Sequence, residues 1–102
     1  MTRVSFEKSQ GKYRKLCISG HSGYAEEGSD IVCAAISSSV NLAVSILELG
    51  GCAFKQSVGK TTVIIETDDG QTAQLVLGAM EKELSQLMRD FPENVKVTTV
   101  DR

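Results

Sequence analysis

From Ile31 to Leu47 the chain carries no charged residue, and Asp30 and Gly50-Gly51 bracket the stretch. An aspartate can accept the backbone N–H groups of a helix's first turn, and glycine closes a helix in the left-handed conformation that other residues avoid. The spacing therefore predicts one helix over Ile31–Leu49. Ile36, Val40, Val44 and Leu47 form one apolar stripe, Leu42, Ile46 and Leu49 a second, and Cys33, Ser37, Asn41 and Ser45 a small polar one. A surface helix carries charge on its outer face. This helix is instead expected to be buried on most sides, as the central helix of the domain, with a partner subunit able to cover what the chain does not.

The other segments arrange themselves around that helix. Val4–Glu7 alternates apolar and polar, Gln10-Gly11-Lys12 reads as a turn, and Tyr13–Ser19 alternates again, which predicts a β-hairpin. Ala53–Val58 and Thr61–Thr67 predict a second hairpin turned at Gly59-Lys60. Val63, Ile64 and Ile65 are consecutive, so cover is expected on both faces of that strand. Asp68-Asp69-Gly70 is a turn with helix-start character. Ala73, Leu77, Met80, Leu84, Leu87 and Phe91 form one seam of a second helix, Gln71–Arg89, which Pro92 ends. Val95–Val100 predicts a last strand. The order ββαββαβ is that of an α+β two-layer domain with a mostly antiparallel sheet, a single domain over residues 1–102.

Composition removes several classes of function. Of 102 residues 24% are charged and the net charge is -2, without the basic excess expected of a nucleic-acid-binding chain. No uninterrupted apolar run approaches about 18 residues, so no membrane span is expected. Met1–Glu7 has no apolar leader segment, so no signal peptide is expected either. Cys17, Cys33 and Cys52 are widely spaced and form no CxxC pair. They read as reduced thiols of a cytoplasmic protein, with no structural zinc, no other metal and no cofactor.

The chemistry concentrates between His21, the only histidine, and Cys33. The loop Gly20–Ser29 between them holds three glycines, with Glu26 and Glu27 expected to be solvated, and should be exposed and mobile. Cys33 is the third residue of the predicted helix, where unpaired N–H groups and the helix dipole favour a thiolate. First-turn N–H groups, that of Cys33 included, could also receive an oxyanion. Asp30, one turn back, would repel a thiolate, so its expected role is to fix the helix end or to orient His21. Ser37, one turn on, either bonds near the site or bonds back to the preceding turn. Residue types alone leave two readings open. One is a nucleophile with its general base; the other is a core thiol beside a solvated loop histidine.

Gly20-His21, an acid- and glycine-containing spacer, and then Asp30-Ile31-Val32-Cys33-Ala34-Ala35-Ile36-Ser37 resembles the signature of the bacterial ribosomal-processing cysteine protease Prp family. Length and element order are similar over essentially the whole chain. Ser22 stands where alanine is common in such proteins. The resemblance implies a homodimeric cysteine endopeptidase of the bacterial cytoplasm that removes the N-terminal extension of large-subunit ribosomal protein twenty-seven. It places the nucleophile on Cys33 and the general base on His21, with Gly20, Asp30 and Ser37 matching the rest of the motif. Cleavage after aromatic residues, as in the family, implies an apolar groove near Cys33. The glycine-containing loop is expected to be open in the free enzyme and to close on substrate, bringing His21 to Cys33. The alternative is a ribosome-associated binding or assembly module that holds the precursor without cutting it. A redox sensor built on Cys33 would lack a resolving cysteine.

Overall fold

The computed structural model describes residues 1–26 and 28–102; Glu27 lies outside the described residues, and with it the expectation for its side chain. Seven elements follow the expected order: β1 (Thr2–Ser9), β2 (Lys12–Ser19), α1 (Ile31–Leu49), β3 (Phe54–Val58), β4 (Thr62–Thr67), α2 (Gln71–Asp90) and β5 (Val95–Asp101). The strand ends differ from the sequence reading by one or two residues: β1, β2 and β5 run further because ladder hydrogen bonds extend them past their apolar alternation, while β3 and β4 each start one residue later.

The β1–β2 hairpin turns on Gln10 and Gly11, and it pairs Val4 with Ile18 and Phe6 with Leu16 on one face. All four side chains are buried. The sheet order is β3-β4-β2-β1-β5. Every neighbouring pair is antiparallel except β1 with β5, which are parallel. It follows that β3 runs parallel to β2 and β5 parallel to β4, so α1 and α2 are the crossovers that parallel strands require. Both helices pack on the sheet face that carries Val4, Phe6, Leu16, Ile18, Ile65 and Val95, in one continuous core. Phe6 is fully enclosed there and meets the Tyr13 ring edge-on at 5.9 Å. Cutting Phe6 back to alanine is expected to cost about 3–5 kcal/mol.

Two expectations are corrected by this architecture. α1 is not buried on most sides: Val32, Ile36, Val40, Ala43 and Leu47 face the core, while Leu42 is 63% and Leu49 90% exposed. A two-layer fold gives a helix the sheet beneath and one helix beside, and nothing in the described chain covers the outer stripe. For the same reason β4 is not covered on both faces. Ile65 is buried, whereas Val63 and Ile64 are only half-buried. The apolar outer stripe also makes α1 long and apolar enough, by length and composition, to cross a membrane. Its core stripe is nevertheless part of the hydrophobic core cluster of the described residues.

The end of α1 divides two tasks between two glycines. Gly51 takes the left-handed conformation at φ 67°, while Gly50 stays right-handed at φ -80°. A Cβ on Gly50 would come within 2.9 Å of Thr72 Cγ2, so Gly50 is where the end of α1 meets the start of α2.

Candidate active site

The loop between β2 and α1 folds onto the first turn of α1 through one carboxylate. Asp30 adopts an extended backbone and caps the helix: its Oδ1 accepts the N–H groups of Val32 and Cys33, each at 3.0 Å. Its Oδ2 accepts the Ser22 hydroxyl and the N–H groups of Tyr24 at 3.2 Å and Ala25 at 3.3 Å. Five donors converge on one buried side chain. The Ser22 hydroxyl above all, with the backbone N–H groups, draws the Asp30 carboxyl down to about 2, against the opposing effect of burial. Asp30 therefore holds the helix end and the loop together. Of the two expected roles it performs the first; among the described residues it makes no hydrogen bond to His21.

This hub corrects two further expectations. The loop is not uniformly open, because Ser22 is buried and the backbone from Ser22 to Ala25 is tied to Asp30. The Cys33 N–H is not free to receive an oxyanion, since it is already bonded to Asp30 Oδ1. A first-turn N–H serves a cap or a reacting oxygen, and here the cap takes it.

Gly20 sets where the loop starts. It has φ 84°, its N–H donates to Thr61 O at 2.9 Å, and its carbonyl accepts the Thr2 hydroxyl at 3.3 Å. A Cβ there would lie 2.7 Å from the Met1 carbonyl oxygen, so backbone conformation and space both demand glycine. His21 follows directly and is exposed.

Cys33 sits on the first turn of α1, partly exposed. Its sulfur receives the Ser22 N–H at 3.5 Å and lies 3.5 Å from the Ser22 hydroxyl oxygen. Cys33, His21, Gly20, Asp30 and Ser37 all line one cleft of about 740 Å³, so the structure brings together every residue that the motif singled out. Among the described residues no hydrogen bond joins His21 to Cys33, and none involves the Ser37 side chain. The β3–β4 hairpin also lines the cleft, where Ile36, Val40, Val58 and Val63 supply an apolar wall and Lys60 a charge. That apolar wall suits a peptide side chain, while Asn41, Gln56, Thr61 and Thr62 add polar groups to the same cleft. Cys17 and Cys52 are away from it.

Three residues of this site were not legible in the sequence. Ser22 reads as a tolerated difference from alanine, yet it is 1% exposed and contacts both Asp30 and Cys33. Asn94, from the turn before β5, donates to the Ser22 carbonyl at 3.0 Å. Phe91, at the end of α2, packs edge-on against Tyr24 at 5.3 Å. The last two lie some seventy residues from the loop they hold, and no local pattern announces such a contact.

The family model of cysteine protease Prp matches residues 1–96. A ribosomal processing cysteine protease Prp from Bacillus subtilis is 30% identical, over 80% of this chain and 81% of the relative. A crystal structure of the S. aureus ribosomal processing protease Prp with a covalently linked product peptide superposes with a TM-score of 0.90 at 24% identity, covering 97% of this chain and 99% of that one. A structure from Streptococcus mutans superposes at 0.88, also at 24% identity, covering 100% and 99%. The likeness to these structures is one of fold; the family match and the Bacillus subtilis relative go further. With a cleft that gathers a thiol and an imidazole on this scaffold, the chain belongs to the cysteine protease Prp family and is a cysteine-type endopeptidase.

Proposed function

We propose that this endopeptidase removes the N-terminal extension of bacterial large-subunit ribosomal protein twenty-seven, with Cys33 as nucleophile and His21 as general base. The observation that carries the reading is the shared cleft: the only histidine and the helix-start cysteine both open into it, beside an apolar wall. The relative from Bacillus subtilis is named for ribosomal processing, and a second S. aureus structure holds a substrate peptide.

In the proposed reaction His21 takes the Cys33 proton and the sulfur attacks the scissile carbonyl carbon. The C–N bond breaks, and the imidazolium returns the proton to the leaving amine, which is the new N-terminus of the mature product. Water then attacks the thioester, His21 accepting its proton, and the cleaved extension leaves as a carboxylic acid while the Cys33 thiol is restored. An aromatic side chain before the cut would rest against Ile36, Val40 and Val63. Bound peptide draws His21 toward Cys33, since in the free chain His21 is exposed and no bond ties it to the sulfur among the described residues. Ser37 and Gly20 support the site from its wall and its hinge.

The enzyme acts in the cytoplasm as a homodimer. Leu42, Ile46 and Leu49 supply the apolar stripe on α1 that a second copy would cover. The deciding experiment is intact-mass analysis of the precursor incubated with the parent protein, Cys33→Ala and His21→Ala. Cleavage by the parent and by neither variant is the expected result. A folded, reduced parent that retains the precursor without cutting it would instead favour a binding or assembly module.

A further inference from the structure

The Ser22 hydroxyl has one hydrogen and stands between two acceptors, Asp30 and Cys33. It donates to Asp30 Oδ2, while the Cys33 sulfur is 3.5 Å away. A hydroxyl donates preferentially to a carboxylate at close range, where the bond is charge-assisted. The Ser22 oxygen therefore faces Cys33 with lone pairs only, and it also accepts the Tyr24 N–H at 3.3 Å. A neutral thiol satisfies that arrangement by donating its S–H to Ser22. A thiolate would meet an oxygen with no hydrogen to offer.

We propose that Ser22 is a positioning residue for Cys33: its oxygen accepts the thiol hydrogen and holds Cys33 in the protonated form, its S–H aimed at the loop, until the base withdraws the proton. The proposal rests on Cys33 being the nucleophile. The Ser22 N–H, which donates to the same sulfur at 3.5 Å, fixes the rotamer in both protonation states. The charged and titratable groups that line the cleft with Cys33, among the described residues, are Asp30, His21 and Lys60. Asp30 is saturated by its five donors, and among the described residues neither His21 nor Lys60 bonds to the sulfur, so Ser22 is the group in direct contact with it. The backbone carbonyl of Ser22 is held by Asn94, which keeps the oxygen in place without touching the thiol.

The test is the pH dependence of iodoacetamide alkylation, read at Cys33 by peptide mass mapping so that Cys17 and Cys52 are counted separately. In Ser22→Ala the pH of half-maximal rate is expected to fall, because one weak hydrogen bond to the neutral thiol is lost. At neutral pH the rate is expected to rise roughly two- to threefold. In Asn94→Ala, which loosens the loop but keeps the hydroxyl, the midpoint is expected to stay where it is in the parent. An unchanged or raised midpoint in Ser22→Ala overturns the proposal, and so does the same downward shift in Asn94→Ala. Alkylation needs neither substrate nor cleavage. A Cys33→Ala protein that still cut the precursor would remove the nucleophile assignment and leave the alkylation result standing.

Discussion

The chain holds two corners in which a cysteine meets an aspartate at the start of a helix, and they behave in opposite ways. At α1, Asp30 turns its carboxylate to five donors, and Cys33 opens into the cleft. Before α2, Asp68 Oδ1 accepts the N–H of Gly70, the helix's N-cap residue, at 2.9 Å without capping the helix itself, and the Cys52 thiol donates to the same oxygen at 3.6 Å. Burial first, then the Asp68 charge, pushes the Cys52 thiol up. A carboxylate beside a thiol does not by itself make or unmake a nucleophile. What matters is whether other donors neutralise the carboxylate and whether the sulfur faces space that a substrate can enter.

The sharpest break in that comparison is between the two thiols. Cys33→Ala is expected to lower precursor cleavage by at least about a thousandfold, and Cys52→Ala to stay within about twofold, measured by initial rates. The two aspartates come next. Asp30→Ala releases the loop and the first turn together, and a displacement of about 1 Å at a catalytic group costs on the order of a hundredfold in kcat/KM. Asp68→Ala, remote from the cleft, is expected to remain within about threefold. Site-resolved alkylation of the parent gives a smaller contrast: at neutral pH Cys33 should react about tenfold faster than Cys52. Asp68→Asn keeps an oxygen for the Gly70 N–H but removes the charge, and is expected to speed Cys52 alkylation by a few-fold while leaving Cys33 unchanged.

The smallest effect is on acid stability. Both carboxyls lie lower in the folded chain than their ordinary value of 3.8, Asp30 at about 2. Each therefore contributes stability that is fully present above that ordinary value and is lost as pH falls through the folded one. Melting curves between pH 5 and 2 should show Asp30→Asn flattening the acid decline more than Asp68→Asn. The reverse order would mean that the Asp30 hub does not carry its charge in the way the hydrogen bonds indicate.

Much of this molecule was readable from residue order. The bounds of α1 follow from Asp30 and the Gly50-Gly51 pair, and both hairpins from alternation interrupted by turn residues. The apolar seam of α2 was likewise evident, save that Val76 joins it and Leu87 is only partly buried. The cleft residues Gly20, His21, Asp30, Cys33 and Ser37 fall within one short stretch of chain, but residue types alone leave two readings of Cys33 and His21 open, and it is the family resemblance that singles out all five. The outer stripe of α1 is exposed in the single chain, because apolar residues at helical spacing announce that a face needs cover and not whether the same chain or a second copy supplies it.

Helix ends, turns and strand periods depend on neighbours a few residues apart, and for these the chain's order suffices. Tertiary structure alone decided that Ser22 touches the sulfur, that Asn94 and Phe91 brace the loop, and that the Cys33 N–H belongs to a cap. Those contacts join residues from β5's approach, the end of α2 and the β2–α1 loop, brought together only when both crossovers pack on one face of the sheet. Hydrogen bonds act over about 3 Å of space, whatever the separation along the chain.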